Sequence, residues 1–306
     1  LTITGRNVTV SSANALLGNI SIIAANDLNA LTAQSAEGDV TIIAGNDATL
    51  TDISASKGTV SVNAAGFIVV TNATNANTIN LNNTGGIAGL DSIIITDANS
   101  AESVNITSVG SIQATVNTGL SSATSITATA AEDSYIKADA WDADTDQVIN
   151  LNADSSALTN SPEVTFTLDA ANVKAITLGG PTAIELRISA SDITTETITT
   201  NNAKSAAVLL TNITASADVT NIATDIMIRL ENLGSNEIIA AAGQTFAISD
   251  SINYYSYISE IDHTGRATSG STELATTLIL YDDDGTHSGD QTVTINGWQF
   301  NDLNTV

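Results

Sequence analysis

The sequence predicts an all-β fold: a right-handed parallel β-helix (solenoid) with about 20 residues per coil, and a small antiparallel C-terminal β module. Three observations lead to this prediction. Short alternating apolar segments recur about every 20 residues, Gly, Asn and Asp separate these segments, and the aromatic residues concentrate near the C-terminal end. A period near 20 built from two-residue alternation is typical of a solenoid in which each repeat forms one coil.

The first repeats are the most regular part of the chain. A shift of 20 places Ile20–Ala24 on Val40–Ala44 and then on Val60–Ala64, and Gly38 and Gly58 recur in the same phase. In a stack of parallel strands about 4.8 Å apart, equivalent positions form ladders. We therefore expect Val, Ile and Leu ladders inside the coils and rows of Thr, Ser and Asn outside. The right hand follows from the general rule for parallel crossovers.

The period returns with some drift in the second half of the chain. At intervals of 18 to 22 residues, the segments in phase are Val164–Leu168, Ile184–Ile188, Ala206–Leu210, Ile226–Leu230 and Phe246–Ile248. A second series runs through Ile176 and Leu178, and then through Ile198, Val219 and Ile238. Between the two regular parts, residues 71–160 keep a strand rhythm without a clean register, which indicates irregular coils with insertions. We assign residues 1–251 to the solenoid.

The composition changes near residue 252. More than half of the Trp, Tyr and Phe residues lie from Tyr254 onward. Val293 and Ile295 alternate into Asn296-Gly297, a dipeptide typical of a type I′ hairpin. Because a hairpin is antiparallel, residues 252–306 are predicted to form a cap or assembly module, whose aromatic residues can cover the open edge of the last coil.

Charge and composition exclude several classes of partner. The chain has 33 Asp plus Glu against 8 Lys plus Arg, which gives a formal net charge of -25. Such a surface repels a nucleic-acid backbone and an anionic membrane, and it favours cations. There is no Cys, so neither disulfides nor thiolate metal sites are predicted. No apolar run reaches the ~18 residues of a membrane helix, so membrane insertion is not predicted.

Two acidic segments are candidate calcium sites. The segment WDADTDQVIN offers as ligands Asp142, Asp144, Asp146 and Asn150. The segment YDDDGTHSGD offers Asp282, Asp283, Asp284 and Asp290. Alternating or clustered carboxylates supply the hard oxygen ligands that Ca²⁺ prefers. The first segment has Gln147 where a calcium loop usually has its turn glycine, and a solvated acidic turn is the alternative for both segments.

An enzyme is not predicted. His263 and His287 are the two histidines of the chain, and neither accompanies a nucleophile motif. Glu185 and Arg187 flank Leu186 with strand spacing, so we expect them to form an outward ion pair. Carboxylates for acid-base catalysis cannot be distinguished here from the general acidity of the chain.

Two segments resemble known families of exported bacterial proteins. GDVTIIAGNDATLT resembles the repeats of filamentous-haemagglutinin-type proteins, over about residues 1–70. FTLDAANVKAITLGG is similar to the Thr/Ala-rich solenoids of bacterial surface-layer and RTX-type proteins, over about residues 145–250. The chain lacks the G-G-x-G-x-D nonapeptide of RTX calcium coils. The resemblance implies an extracellular or cell-surface adhesin, filament or lattice protein.

These features together predict an extracellular structural protein that self-assembles into a surface layer or filament, with calcium as a cofactor. If Leu1 is the mature N-terminus, its coil presents an open edge that the C-terminal module of another copy could cover, in a head-to-tail contact that does not close. If an upstream region precedes Leu1, that region covers the edge instead. The alternatives are the shaft of a secreted adhesin, with a cell-surface glycan as partner, and a carbohydrate-active enzyme.

Overall fold

The structure is a computed structural model. It describes residues 1–85, 91–118, 125–140, 147–156, 158, 163–171, 173–189, 197–213, 217–231, 237–239, 241, 244–249, 258–262, 275–280 and 291–296. The fold is a parallel β-solenoid of about nine turns with about 20 residues per coil, together with a small antiparallel sheet, and the described residues contain no helix. The predicted fold class is confirmed, while the right hand of the solenoid stays a prediction.

The chain divides into two compact units. The first comprises Leu1–Ile184 and Asn201–Lys204, and the second comprises Glu185–Thr200 and Ser205–Val306. The strands of the first unit are β1 (Thr2–Gly5), β2 (Val8–Val10), β3 (Ala13–Ala15), β4 (Ile20–Ala24), β5 (Leu28–Ser35), β6 (Val40–Ala44), β7 (Ala48–Ala55), β8 (Thr59–Ala64), β9 (Ile68–Asn83), β10 (Asp91–Thr107), β11 (Ser111–Thr118), β12 (Ser125–Ala130), β13 (Ser134–Ala140), β14 (Gln147–Ala153), β15 (Val164–Ala171) and β16 (Val173–Gly179).

A regular coil contains one straight strand and one bent strand. In β5, Leu28 and Ala30 are buried, Leu31 and Thr32 both point outward, and alternation then resumes with buried Ala33. Two outward residues in succession mark a bend, since strict alternation would place one of them in the core. The shorter strands β2 and β3 pair with the two halves of β5 on either side of this bend. Each coil therefore has three core-facing segments.

The predicted 20-residue register is observed directly in the first coils. Ile20 pairs with Val40 and Val40 with Val60, and the same shift relates Ala24, Ala44 and Ala64. The ladder that begins at Ile20 is buried throughout and consists of Ile20, Val40, Val60, Ile79, Val104, Ile126, Ile149 and Ile176. Each of these side chains contributes roughly 1.5–3 kcal/mol of burial free energy, so the ladders dominate the core.

Glycine is required where successive coils touch at one corner. A Cβ atom on Gly38 would lie 2.6 Å from the carbonyl carbon of Gly18, and one on Gly58 would lie 2.6 Å from the carbonyl oxygen of Gly38. Such distances are far below van der Waals contact, so a side chain would force the coils apart. The recurrence of Gly38 and Gly58 thus reflects the spacing of the stack at this corner.

The register shift between coils varies after residue 85. It is 25 residues between β9 and β10, 22 between β11 and β13, 23 between β12 and β14, and 32 between β13 and β15. The inward ladders continue across these changes, as in the pairing of Val104 with Ile126. Irregularities within the pairings of β10 with β9 and β11, and of β14 with β16, take up part of these length differences. The segments between strands take up the rest.

The remaining strands are β17 (Ile184–Ser189), β18 (Thr197–Asn201), β19 (Ala206–Thr211), β20 (Ala217–Asp218), β21 (Met227–Glu231), β22 (Glu237–Ile239), β23 (Thr245–Ser249), β24 (Ile258–Asp262), β25 (Ala275–Leu280) and β26 (Gln291–Asn296). Val208 pairs with Ile228, which pairs with Phe246, and these shifts of 20 and 18 agree with the sequence prediction.

The predicted continuation of the second series from Ile198 to Val219 and Ile238 is wrong. Ile198 bridges to Ile222, and Ile238 pairs with Ala217. The amide of Ile222 donates to the carbonyl of Val219 in a tight turn, so the chain inserts residues between the two buried positions. Both Val219 and Ile222 are apolar and buried, and the sequence alone therefore could not show which one continues the column.

A small antiparallel sheet forms near the C-terminal end. Strand β25 pairs antiparallel with both β24 and β26, and β26 also pairs parallel with β22. The predicted strand with Val293 and Ile295 is present as β26. Gly297 of the predicted hairpin turn and the domain boundary predicted near residue 252 lie outside the described residues. The same holds for the aromatic residues Tyr254, Tyr255, Tyr257, Tyr281, Trp298 and Phe300.

Two adjacent isoleucines provide a matched test of the inward ladder. Ile42 is 0% exposed in the core, whereas Ile43 is 39% exposed on the outside of the same strand. We expect Ile42→Ala to lower the free energy of unfolding by about 2–5 kcal/mol, because it leaves a cavity between two coils. Ile43→Ala should cost less than about 1 kcal/mol. Urea unfolding of both variants measures the difference, and equal losses would contradict the assigned orientation of β6.

Candidate functional site

Asn150 is the one residue of the predicted calcium sites that lies within the described residues. It is in β14, where it stacks between Thr127 and Thr177, and its Nδ2 atom donates to Thr127 Oγ1 at 3.5 Å. The other predicted ligands lie outside the described residues: Asp142, Asp144, Asp146, Asp282, Asp283, Asp284 and Asp290. In the described part of the chain, no group of three or more His, Cys, Asp or Glu is placed to hold a metal ion. Calcium binding stays a prediction.

Asn and Asp side chains at one corner of the solenoid accept hydrogen bonds from the next coil. Asn19 Oδ1 accepts the amide of Asp39 at 2.9 Å, and Asp39 Oδ1 accepts the amide of Thr59 at 2.8 Å. These residues are 20 positions apart, so one side chain per coil accepts a backbone N–H of the following coil. A corner carboxylate thus replaces the backbone carbonyl that a continuous strand would supply.

The second corner uses the same arrangement. Asp47 Oδ1 accepts the amide of Phe67 at 3.0 Å, and Asn46 Nδ2 donates to Asp27 Oδ1 at 2.7 Å. These hydrogen bonds of Asn46 and Asp47 to neighbouring coils hold the coils in register at this corner. Much of the acidity in the first coils is therefore part of coil stacking.

Two adjacent columns of outward residues on the solenoid carry no charge, and we call these two columns the neutral face. They lie on β4, β6, β8, the second half of β9, the end of β10, and β12, β14 and β16, and the exposed Lys174 of β16 lies outside both columns. The first column is Ser21, Thr41, Ser61, Asn80, Asn105, Thr127, Asn150 and Thr177. The second column is Ile23, Ile43, Asn63, Asn82, Thr107, Thr129, Asn152 and Gly179.

Hydrogen bonds between neighbouring residues of a column orient the side chains of the neutral face. Asn105 Nδ2 donates to Asn80 Oδ1 at 2.9 Å, and Asn152 Nδ2 donates to Thr129 Oγ1 at 3.4 Å. An amide side chain has two N–H donors and one acceptor, so a single bond along the column leaves it further capacity for bonding. The polar residues of both columns are half-buried or exposed. The result is an accessible, ordered array of uncharged donors and acceptors.

Apolar side chains are exposed next to the first coils. Leu16 and Leu17 lie in the turn between β3 and β4 and are 85% and 82% exposed. The equivalent turn one coil later contains Glu37 and the next contains Lys57, which form a 2.6 Å ion pair with each other. Ile23 and Ile43 are also exposed, within the second column of the neutral face. Exposed apolar groups of this size are typical of contact surfaces when they cluster.

The expected pair of Glu185 and Arg187 is not formed. Glu185 is buried and pairs with Arg229 of β21, whereas Arg187 is exposed. The sequence separation of 44 residues between the partners hides this contact from any local pattern. Ion pairs across coils can be found from the sequence only after the register is known.

No protein-family model, curated protein or solved structure matches this sequence. The structure is that of a solenoid protein. A search of the described residues finds no helix with the length and apolarity to cross a membrane.

Substitutions of Asp39 test the hydrogen bond between successive coils at the first corner. Asp39→Ala removes the acceptor for the Thr59 amide and should lower the free energy of unfolding by about 1–3 kcal/mol, since the N–H is left without its partner. Asp39→Asn should retain most of the stability, because Asn19 plays the same role one coil earlier. Chemical denaturation of the two variants and of the original chain measures their free energies of unfolding. Equal stability of Asp39→Ala and the original chain would show that the corner bond is dispensable.

Proposed function

We propose that this chain is an extracellular structural protein that assembles with further copies of itself into a surface layer or filament. The main support for this proposal is that many hydrogen bonds of the described residues join one coil to the next. Strands pair with strands of the next coil, the Asp39 carboxylate accepts the amide of Thr59, and the side chain of Asn105 donates to that of Asn80. A stack of this kind makes a stiff, repeating scaffold, which suits a structural role.

The sequence resemblances support an exported location. The repeats of residues 1–70 resemble filamentous-haemagglutinin-type proteins, and residues 145–250 resemble Thr/Ala-rich surface-layer solenoids. The absence of Cys and a polar composition with few basic residues are compatible with a bacterial exported protein. We propose no enzymatic activity for this chain.

A second candidate function is the shaft of a secreted adhesin. The exposed pair Leu16 and Leu17 favours it, because an apolar turn limited to one coil suits a single partner better than a repeating contact. In this alternative the partner is a cell-surface glycan or its carrier, and the chain acts as a monomer.

Imaging of the native material tests the first proposal. Negative-stain electron microscopy should show periodic arrays or filaments, whose formation increases with protein concentration. A chain that remains monomeric at every tested salt and calcium concentration would overturn self-assembly. Binding of that monomer to glycan-coated surfaces would then favour the adhesin.

Calcium forms a separate arm of the same experiment. We propose that calcium binds at the two acidic segments and stabilises the assembly, on the basis of their sequence. Chelation, Asp144→Asn and Asp283→Asn should each reduce assembly, whereas Glu102→Gln, which removes an exposed carboxylate elsewhere, should not. Assembly that is indifferent to chelation and to both Asp variants would remove calcium from the proposal without affecting self-assembly.

A further inference from the structure

We propose that the neutral face is the surface through which two copies of this chain associate side by side. This inference rests on the self-assembly proposed above and adds the partner and the residues of the contact. The occupant of the face is a second copy that presents its own neutral face, in an arrangement where the same patch serves both partners.

The distribution of charge favours this face over the others. Copies that each carry a formal charge of -25 repel one another, and charges pressed together without counter-charges oppose association. Neither column of the neutral face contains an Asp, Glu, Lys or Arg over eight successive strands. Other outward positions do carry charges, among them Asp52, Asp97, Lys137 and Asp169. Lateral contact through the two adjacent columns of the neutral face therefore brings no like charges of these columns together.

The side chains of the face suit contact with an identical face. Asn, Thr and Ser act as both donors and acceptors, so a row of them can bond to another such row in either direction. Exposed Ile23 and Ile43 at one end add apolar area that a second copy would remove from water. Two sheets packed face to face lie about 10 Å apart, which short polar side chains and interfacial water can fill.

The dimensions of the face place the contact among weak specific interfaces. Eight strands spaced about 4.8 Å apart and five residues wide cover roughly 34 by 17 Å, or about 600 Å² on each copy. Standard interfaces bury about 800 Å² on each partner. The pair should therefore associate reversibly, and larger assemblies gain strength from many such contacts.

A neutral polysaccharide is the competing occupant, and the face is less suited to it. Protein sites for sugar polymers commonly offer aromatic platforms, and the two columns contain no aromatic residue. An ordered array of small amides and hydroxyls complements an equal array with the same spacing more readily. We therefore assign the face to a second copy and keep the polysaccharide as an outcome of the test.

Charged substitutions near the middle of the neutral face test the assignment. Asn105→Glu and Thr127→Glu place a carboxylate on adjacent strands of the first column. Gln113→Glu is the matched control, because Gln113 is an exposed outward strand residue outside both columns of the neutral face and the added charge is the same. Sedimentation velocity over a range of concentrations should show at least about tenfold weaker self-association for the two face variants and no change for the control.

Two further measurements distinguish a loss of the contact from poor folding of the Glu variants. Mixing Thr127→Glu with Thr127→Lys should restore association between the two. Because the chain has no Cys, a thiol-specific bifunctional cross-linker with a spacer should join two copies of Thr127→Cys and should join few copies of Gln113→Cys. Unchanged association of both Glu variants, with no cross-linking at 127, would overturn the neutral face as the contact while self-assembly stands.

A monomeric original chain at all concentrations would instead overturn the proposed function itself. Retention of that chain on a neutral polysaccharide, lost in Thr127→Glu and kept in Gln113→Glu, would replace the second copy by a glycan as the occupant of the face.

Discussion

The hydrogen-bonded register between successive coils is the constraint on which the rest of the structure depends. A shift of 20 residues aligns Ile20 with Val40 and Val60 inside the stack and Ser21 with Thr41 and Ser61 outside it. A slip by one residue would move every inward side chain to the surface. The buried ladders, the corner glycines, the acceptors at Asn19 and Asp39, and the neutral face all follow from this one alignment.

The carboxylates of the first coils lie mainly at the corners of the solenoid, where they accept hydrogen bonds or form ion pairs. A chain with 33 acidic and 8 basic residues must place its carboxylates where they are separated or bonded. Asp39 and Asp47 accept backbone amides at the corners, and Glu37 pairs with Lys57 of the next coil. The two columns of the neutral face carry no charge. This separation of charged corners from a neutral face gives a strongly anionic molecule a surface through which like copies can approach.

Much of the fold could be predicted because the first coils repeat with one period, so a simple shift exposes the ladders. The coil lengths after residue 85 vary, and a buried apolar residue such as Val219 then looks equivalent to Ile222, which forms the actual bridge to Ile198. The contact of Glu185 with Arg229 and the columns of the neutral face likewise depend on register. The sequence contains the Thr and Asn residues of these columns, but only the strand pairing shows which of them are adjacent in successive coils. Of the predicted calcium ligands, Asn150 alone is placed by the structure, in an outward row.

Distances between spin labels along one column test the stacked register most directly. Nitroxides attached to cysteines at Thr41 and, in turn, at Thr127, Asn150 and Thr177 report positions four, five and six coils apart in the first column. Pulsed electron paramagnetic resonance should give separations near about 19, 24 and 29 Å, rising by about 4.8 Å for each coil. Distances that fail to increase steadily along this series would contradict the solenoid register and every inference built on it.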